Sequence, residues 1–144
     1  MRRELILGAG LVAILAAPAA ASTERSTFYT FDQVWPTAVR YLAVDEGCKI
    51  VDRDADTGYV VFELADRGKT YRGALEVVKT REDGRPAVRL VLQIADRPSW
   101  MEGAILDRLL AKLYKEHGDP PSPPEKKAPP EKPKKKPGKA KSSG

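Results

Sequence analysis

The stretch Ala87–Ala95, reading Ala-Val-Arg-Leu-Val-Leu-Gln-Ile-Ala, constrains this chain more than any other. Val88, Leu90, Leu92 and Ile94 alternate with Arg89, Val91 and Gln93. That period of two predicts a strand with one face in a core and the other toward water or a partner. A chain with such a strand at its centre must supply neighbours that pair with it and a layer that covers its apolar side.

The neighbours are legible on its N-terminal side. Lys49–Asp54, Tyr59–Ala65 and Thr70–Arg81 read as strands, with Val60, Phe62 and Leu64, then Tyr71, Gly73, Leu75 and Val77, on the apolar face. Ala55-Asp56-Thr57-Gly58, Asp66-Arg67-Gly68-Lys69 and Asp83-Gly84 carry turn chemistry between them. Loops this short force successive strands to run antiparallel, which gives a meander. Thr27–Thr30, rich in aromatic and β-branched residues, reads as a short first strand.

Two helices bracket the meander. Asp32 is expected to cap the first, with Val34, Trp35, Ala38, Val39, Leu42 and Ala43 as its apolar stripe, Pro36 in its first turn and Gly47 at its end. Trp35 shares that stripe and is expected in the core. The second opens at Ser99-Trp100-Met101-Glu102, which has the spacing of a capping box. Ile105, Leu106, Leu109, Leu110 and Leu113 form its apolar face, Lys112, Lys115 and His117 suit the C-terminal dipole, and Gly118 with Pro120-Pro121 stops it. The expected fold over residues 22–118 is therefore α+β. A four- to five-stranded antiparallel meander sheet carries two helices on one face, in the order β-α-β-β-β-β-α.

The ends are of another kind. Arg2 and Arg3, the apolar run Leu5–Ala17, Pro18 and the small residues Ala19-Ala20-Ala21 follow one another as in a secretory signal peptide over residues 1–21. The run is shorter than the ~20 residues a membrane span needs, which argues against an uncleaved anchor. Residues 119–144 hold eight Lys against three acidic residues, so the formal net charge of +5 is carried by this tail and the domain is close to neutral. Its Pro and Lys composition cannot build a core and predicts a disordered, extended segment. Lys134, Lys135 and Lys136 are its densest charge, suited to an anionic envelope polymer or lipid surface. The same residues also serve simply to keep a linker soluble. Export makes nucleic acid an unexpected partner.

The order of elements, with Asp32-Gln33-Val34-Trp35, Gly47-Cys48-Lys49-Ile50-Val51 and the Asp-rich turn closing at Gly58, resembles small bacterial envelope proteins. Many of those are lipoproteins, with a domain similar to the helix-grip-like modules of the outer-membrane assembly lipoprotein BamC. The resemblance spans Thr27 to Lys115, implies a non-enzymatic envelope module and carries over no active-site residue. The lipoprotein cysteine near the leader's end is missing, since the single cysteine is Cys48.

Motifs for chemistry are sparse. Counted from Asp52, carboxylates at Asp52, Asp54, Asp56 and Glu63 fall on positions 1, 3, 5 and 12 of a calcium loop. Position 6 is Thr57 rather than Gly, and the flanks read as strands, so a solvated hairpin turn accounts for the same residues. Cys48 and His117 would make a nucleophile–base pair only if the fold joined them, and no third orienting group is evident. No phosphate loop, paired-Cys spacing or nucleophile elbow is present in the sequence. The expectation is no enzyme and no cofactor or metal.

The leading expectation is a periplasmic or secreted binding or scaffolding module. Its contacts would be Arg72, Glu76, Arg89 and Gln93 on the outer sheet face, with the tail adding weak attachment. The alternative is a carrier of a small apolar ligand or lipid, with a pocket between helices and sheet near Trp35, Phe62, Leu90 and Leu109. A continuous cavity there would favour the carrier, and a closed core the scaffold. A hydrolase stands third.

Overall fold

A computed structural model describes residues 21–122 of the 144-residue chain. The leader, but for Ala21, and the tail beyond Ser122, with Lys134, Lys135 and Lys136, lie outside the described residues.

The elements are β1 (Thr23–Thr27), α1 (Phe31–Arg40), a π-helical turn (Tyr41–Asp45), β2 (Lys49–Asp54), β3 (Tyr59–Asp66), β4 (Lys69–Glu82), β5 (Arg85–Ile94) and α2 (Ser99–His117). The strands form one antiparallel sheet in the order β1-β5-β4-β3-β2. The expected α+β fold and element order are those found. The alternation of β5 holds residue by residue: Val88, Leu90, Leu92 and Ile94 are buried, and Arg89 and Gln93 are exposed. Val34, Ala38 and Leu42 from the first helical segment join Ile105, Leu106, Leu109 and Leu113 of α2 over the same sheet face. There they meet Val60, Phe62, Leu75, Val77, Leu90 and Leu92. Gly73 makes the fit possible, because a Cβ there would stand 2.4 Å from the Phe62 ring. Among the described residues no helix is long and apolar enough to cross a membrane.

Four local expectations need correction. The first strand is Thr23–Thr27, not Thr27–Thr30. It is polar because it is an edge: Arg25 and Thr23 turn toward α2, where Arg25 pairs with Asp107 at 2.8 Å. The first helix is capped by Thr30, not Asp32. The Thr30 hydroxyl accepts the Gln33 N–H, and the Gln33 side chain accepts the Thr30 N–H at 3.1 Å, a reciprocal pair that outcompetes a lone Asp. Pro36 consequently falls in the second turn, where its missing N–H leaves the Asp32 carbonyl without a helical donor.

The α-helix also gives way after Arg40 to the π turn, in which the Glu46 N–H donates to the Tyr41 carbonyl at 3.0 Å. The wider turn rotates Ala43 out of the stripe and turns the next residue, Val44, outward too, leaving both exposed. Finally, Ser99 and Glu102 form no capping box: Pro98 is the cap and has no side-chain bond. Glu102 points inward instead, 1% exposed. It accepts the Ile94 N–H and the Thr23 hydroxyl, both at 2.8 Å. The register explains why. The pairing of β1 with β5 begins at Thr23 opposite Leu92, so Ile94 runs past its neighbour and its N–H needs another acceptor.

Candidate functional site

The centre of the sheet is closed. Phe62 and Leu90 are 0% exposed and Leu109 is 1%. These three of the four residues expected around a ligand pocket pack in the core and line none of the clefts described below, which corrects that placement. Trp35 behaves differently: it packs one side against the core and turns the other to the surface.

That surface is a groove of about 580 Å³ between the first helical segment and β2. Its apolar walls include Trp35, Val39, Val44 and Ile50, with Arg40 and Arg53 on the rim. Three features of the sequence make it. The π turn throws Val44 outward, to 72% exposure. β2 is bulged at Val51, between the pairs Ile50–Phe62 and Asp52–Val61, which turns the edge strand aside. Among the described residues β2 also pairs only with β3, and no further described strand fills the space beside it.

The groove continues along α1. A second cleft, of about 480 Å³, shares Trp35, Pro36 and Ala55 with the first and adds Phe31 and Lys79. The rings of Phe31 and Trp35 lie nearly parallel, 7° apart in plane and 6.0 Å between centroids. The Lys79 ammonium sits 4.6 Å from the Phe31 centroid, within cation–π range. Beneath Phe31 runs the β2–β3 turn, held because Gly58 has φ +71 and its carbonyl accepts the Val77 N–H at 2.7 Å. Any side chain at Gly58 would meet the Val77 carbonyl at 2.2 Å.

Ion pairs tie the helical wall to α2. Arg40 meets Glu116 at 2.5 Å, Lys112 meets Asp45 at 3.0 Å, and Arg108 meets Glu46 at 2.7 Å. Burial in the first place, and then its hydrogen bond to Glu46, hold the Tyr41 hydroxyl well above its ordinary range. Burial opposes ionisation of Glu116, yet the hydrogen bond from Arg40 prevails and keeps that carboxyl below its usual value. These pairs are open to water on at least one side, which screens them, so each contributes little by itself. Together they fix the π turn that presents Val44.

The other sequence candidates fall as follows. Arg72, Glu76, Arg89 and Gln93 all stand exposed on the outer sheet face, opposite the helices. Arg72 and Gln93 border a shallow depression of about 240 Å³ over Ala74 and Val61. The Asp-rich run is a hairpin turn: the Asp54 carboxylate accepts the N–H groups of Asp56 and Thr57, which holds its pKa down. Glu63 faces Lys49 at 3.5 Å instead of the turn. Cys48 is buried after the π turn, where burial, and then the Glu46 charge, push its thiol up to about 11. His117 contacts Thr37, 3.2 Å away, and tilts against Tyr29. The fold gives Cys48 and His117 separate neighbours.

No family model matches the chain, and no curated protein does either. Among solved structures it is similar to protein CV1439 from Chromobacterium violaceum, at 10% identity and a TM-score of 0.41, over 67% of this chain and 97% of that one. DynU16, from the dynemicin biosynthetic locus, aligns at 16% identity and a TM-score of 0.46, over 72% of this chain and 49% of that one. Ara h 8.0201 aligns at 8% identity and a TM-score of 0.36, over 66% and 97%. These are likenesses in outline, all at TM-scores below 0.5, and neither a fold family nor anything about the groove follows from them. Nothing in them points to a BamC-like lipoprotein or to the envelope.

Sequence reasoning found Trp35, expecting it in the core and, in the carrier alternative, beside a pocket between helices and sheet; it missed Val44, Ile50 and the bulge at Val51 as parts of a site. The available signal was Val44 itself, an apolar residue one position beyond the helical stripe.

Proposed function

We propose that this chain is an exported, non-enzymatic binding module that engages an apolar occupant in the groove between α1 and β2. The observation that carries the reading is the apolar wall of half-buried Trp35 and Ile50 and exposed Val44, left uncovered by the described residues beside a core that is otherwise closed. A groove open along one side suits an occupant that stays partly in water, rather than a small molecule enclosed on most of its surface. The signal-peptide pattern of residues 1–21 supports export, and Lys134–Lys136 supply weak, salt-sensitive attachment to anionic envelope material. The buried, high-pKa thiol of Cys48 is a poor nucleophile, which favours binding over catalysis.

The test is saturable binding of 1-anilinonaphthalene-8-sulfonate to the full chain. Val44→Glu is expected to weaken it about tenfold, and unchanged binding would remove the groove as the site. A second reading, a scaffold contact through Arg72, Glu76, Arg89 and Gln93, is favoured by their sharing one exposed face. Alanine at all four positions, with loss of envelope co-sedimentation but unchanged dye binding, would single it out.

A further inference from the structure

The charge around the groove is of one sign. Its ionisable lining residues are Arg40 and Arg53, and no carboxylate stands among them. Arg40 is already matched by Glu116. Arg53 is exposed and has no ion-pair partner among the described residues.

The register of β2 explains how that guanidinium comes to face the groove. Ile50 lies opposite Phe62 and Arg53 opposite Val60, and both partners are buried beneath the helices. Residues paired across a ladder share a face, so Ile50 and Arg53 both belong to the helix side. They do so at an odd spacing because Val51 is bulged out of the ladder between them. Asp52 and Asp54 pair instead with Val61 and Tyr59 and fall on the outer face. The bulge thus sorts the charges of Asp52-Arg53-Asp54, base toward the groove and acids away from it. An unbulged strand with Ile50 in place would turn both acids onto the apolar wall.

An apolar strip that is open to water and carries one unmatched cation suits a molecule with an apolar chain and an anionic head. The groove's volume of about 580 Å³ lies within the ~300–1,000 Å³ of small-molecule sites. An added β-strand fits less well, because the bulge interrupts the edge ladder it would need. We propose that the groove binds a single-chain fatty carboxylate, its chain along Trp35, Val44 and Ile50 and its head at the Arg53 guanidinium. This deepens the binding reading above and rests on it.

The test is calorimetric titration of the full-length chain with dodecanoate, at mildly alkaline pH and below its self-association. The lysines of residues 119–144 attract anions whatever the groove does, so the headgroup is read from charge-reversed variants. Arg53→Glu is expected to weaken dodecanoate about fivefold and to tighten dodecyltrimethylammonium by a similar factor. Arg67→Glu makes the same change of net charge in the exposed β3–β4 turn and is expected to alter either by less than about twofold. Uncharged dodecyl maltoside should respond to Val44→Glu and not to Arg53→Glu. Absence of saturable dodecanoate binding, or equal losses from Arg53→Glu and Arg67→Glu, overturns the proposal. If dodecyl maltoside and 1-anilinonaphthalene-8-sulfonate still lose affinity in Val44→Glu, the groove stands and only its anionic preference falls. If neither responds to Val44→Glu, the groove itself falls. Binding to phosphatidylglycerol vesicles that needs both Arg53 and Val44, without binding of dodecanoate, overturns the single-molecule site in favour of a membrane surface.

Discussion

At its β1 edge the sheet is sealed by α2; at its β2 edge it is left open against α1. The contrast begins in the strands. β1 is polar, and its inward residues Thr23 and Arg25 reach up to the helix, while Glu102 reaches down to the last free N–H of β5. β2 offers nothing comparable. Its bulge turns it away from the sheet, and the π turn above it rotates apolar side chains out over the gap rather than into it. One edge thus spends polar groups to close a seam, and the other leaves apolar surface unpaired. An exposed sheet edge beside an apolar groove is a liability unless something covers it, which is the physical ground for reading the β2 side as the binding side.

The contrast is broken most directly at its closed half. Leu109→Ala removes a 1% exposed side chain from beneath α2 and is expected to cost about 2–5 kcal/mol in urea denaturation. A loss under ~1 kcal/mol would mean that the sheet centre tolerates a void and that the core is less closed than its burial indicates. Glu102→Ala comes next, at about 1–3 kcal/mol, because the Ile94 N–H is left buried without an acceptor. Glu102→Gln keeps an acceptor for that N–H and should recover part of the loss. Equal costs for the two variants would show that the carboxylate's charge, not its acceptor geometry, holds the seam.

These residues also show how far the sequence could be read. β3, β4 and β5 were legible because a period of two repeats over eight or more residues, and the turns because Asp-Gly and Thr-Gly demand particular backbones. β1 was misplaced because an edge strand that binds a helix through Arg25 and Thr23 lacks the apolar alternation that marks a buried one. Glu102 was read as a local cap because Ser-x-x-Glu spacing is the same whether the carboxylate turns back to the cap or across to a neighbouring strand. Only the register of β1 against β5 decides between them. The groove was hidden for a related reason: a π turn shifts the helical phase, and nothing in Tyr-Leu-Ala-Val-Asp announces the extra residue. The outer-face candidates Arg72, Glu76, Arg89 and Gln93, by contrast, followed from alternation alone.

Alkaline pH probes the joint between the two halves, where Cys48 sits beneath the π turn. Its thiol is raised from an ordinary 9.0 to about 11, first by burial and then by Glu46. The folded chain therefore keeps a proton that the unfolded chain loses. The corresponding stability is complete below pH 9 and is lost as pH climbs through 11. Burial holds the hydroxyls of Tyr29 and Tyr41 above 10.0 and acts in the same sense at the top of that range. Melting temperature measured from pH 8 to 10.5 should fall more steeply for the native sequence than for Cys48→Ala. Parallel slopes would assign the alkaline loss to the tyrosines.

The smallest effect on stability is expected at the open half, and its smallness is what sharpens the comparison. Val44 is 72% exposed, so Val44→Glu removes little buried surface and should stay within ~0.5 kcal/mol of the native sequence in urea denaturation. The same change places a carboxylate on the apolar wall opposite Ile50, where an apolar occupant would have to desolvate it. Stability nearly untouched with dye binding weakened about tenfold is the signature of a surface kept apolar for something other than folding. A cost above ~2 kcal/mol would instead mean that Val44 packs in the folded chain and that the β2 side is as closed as the β1 side.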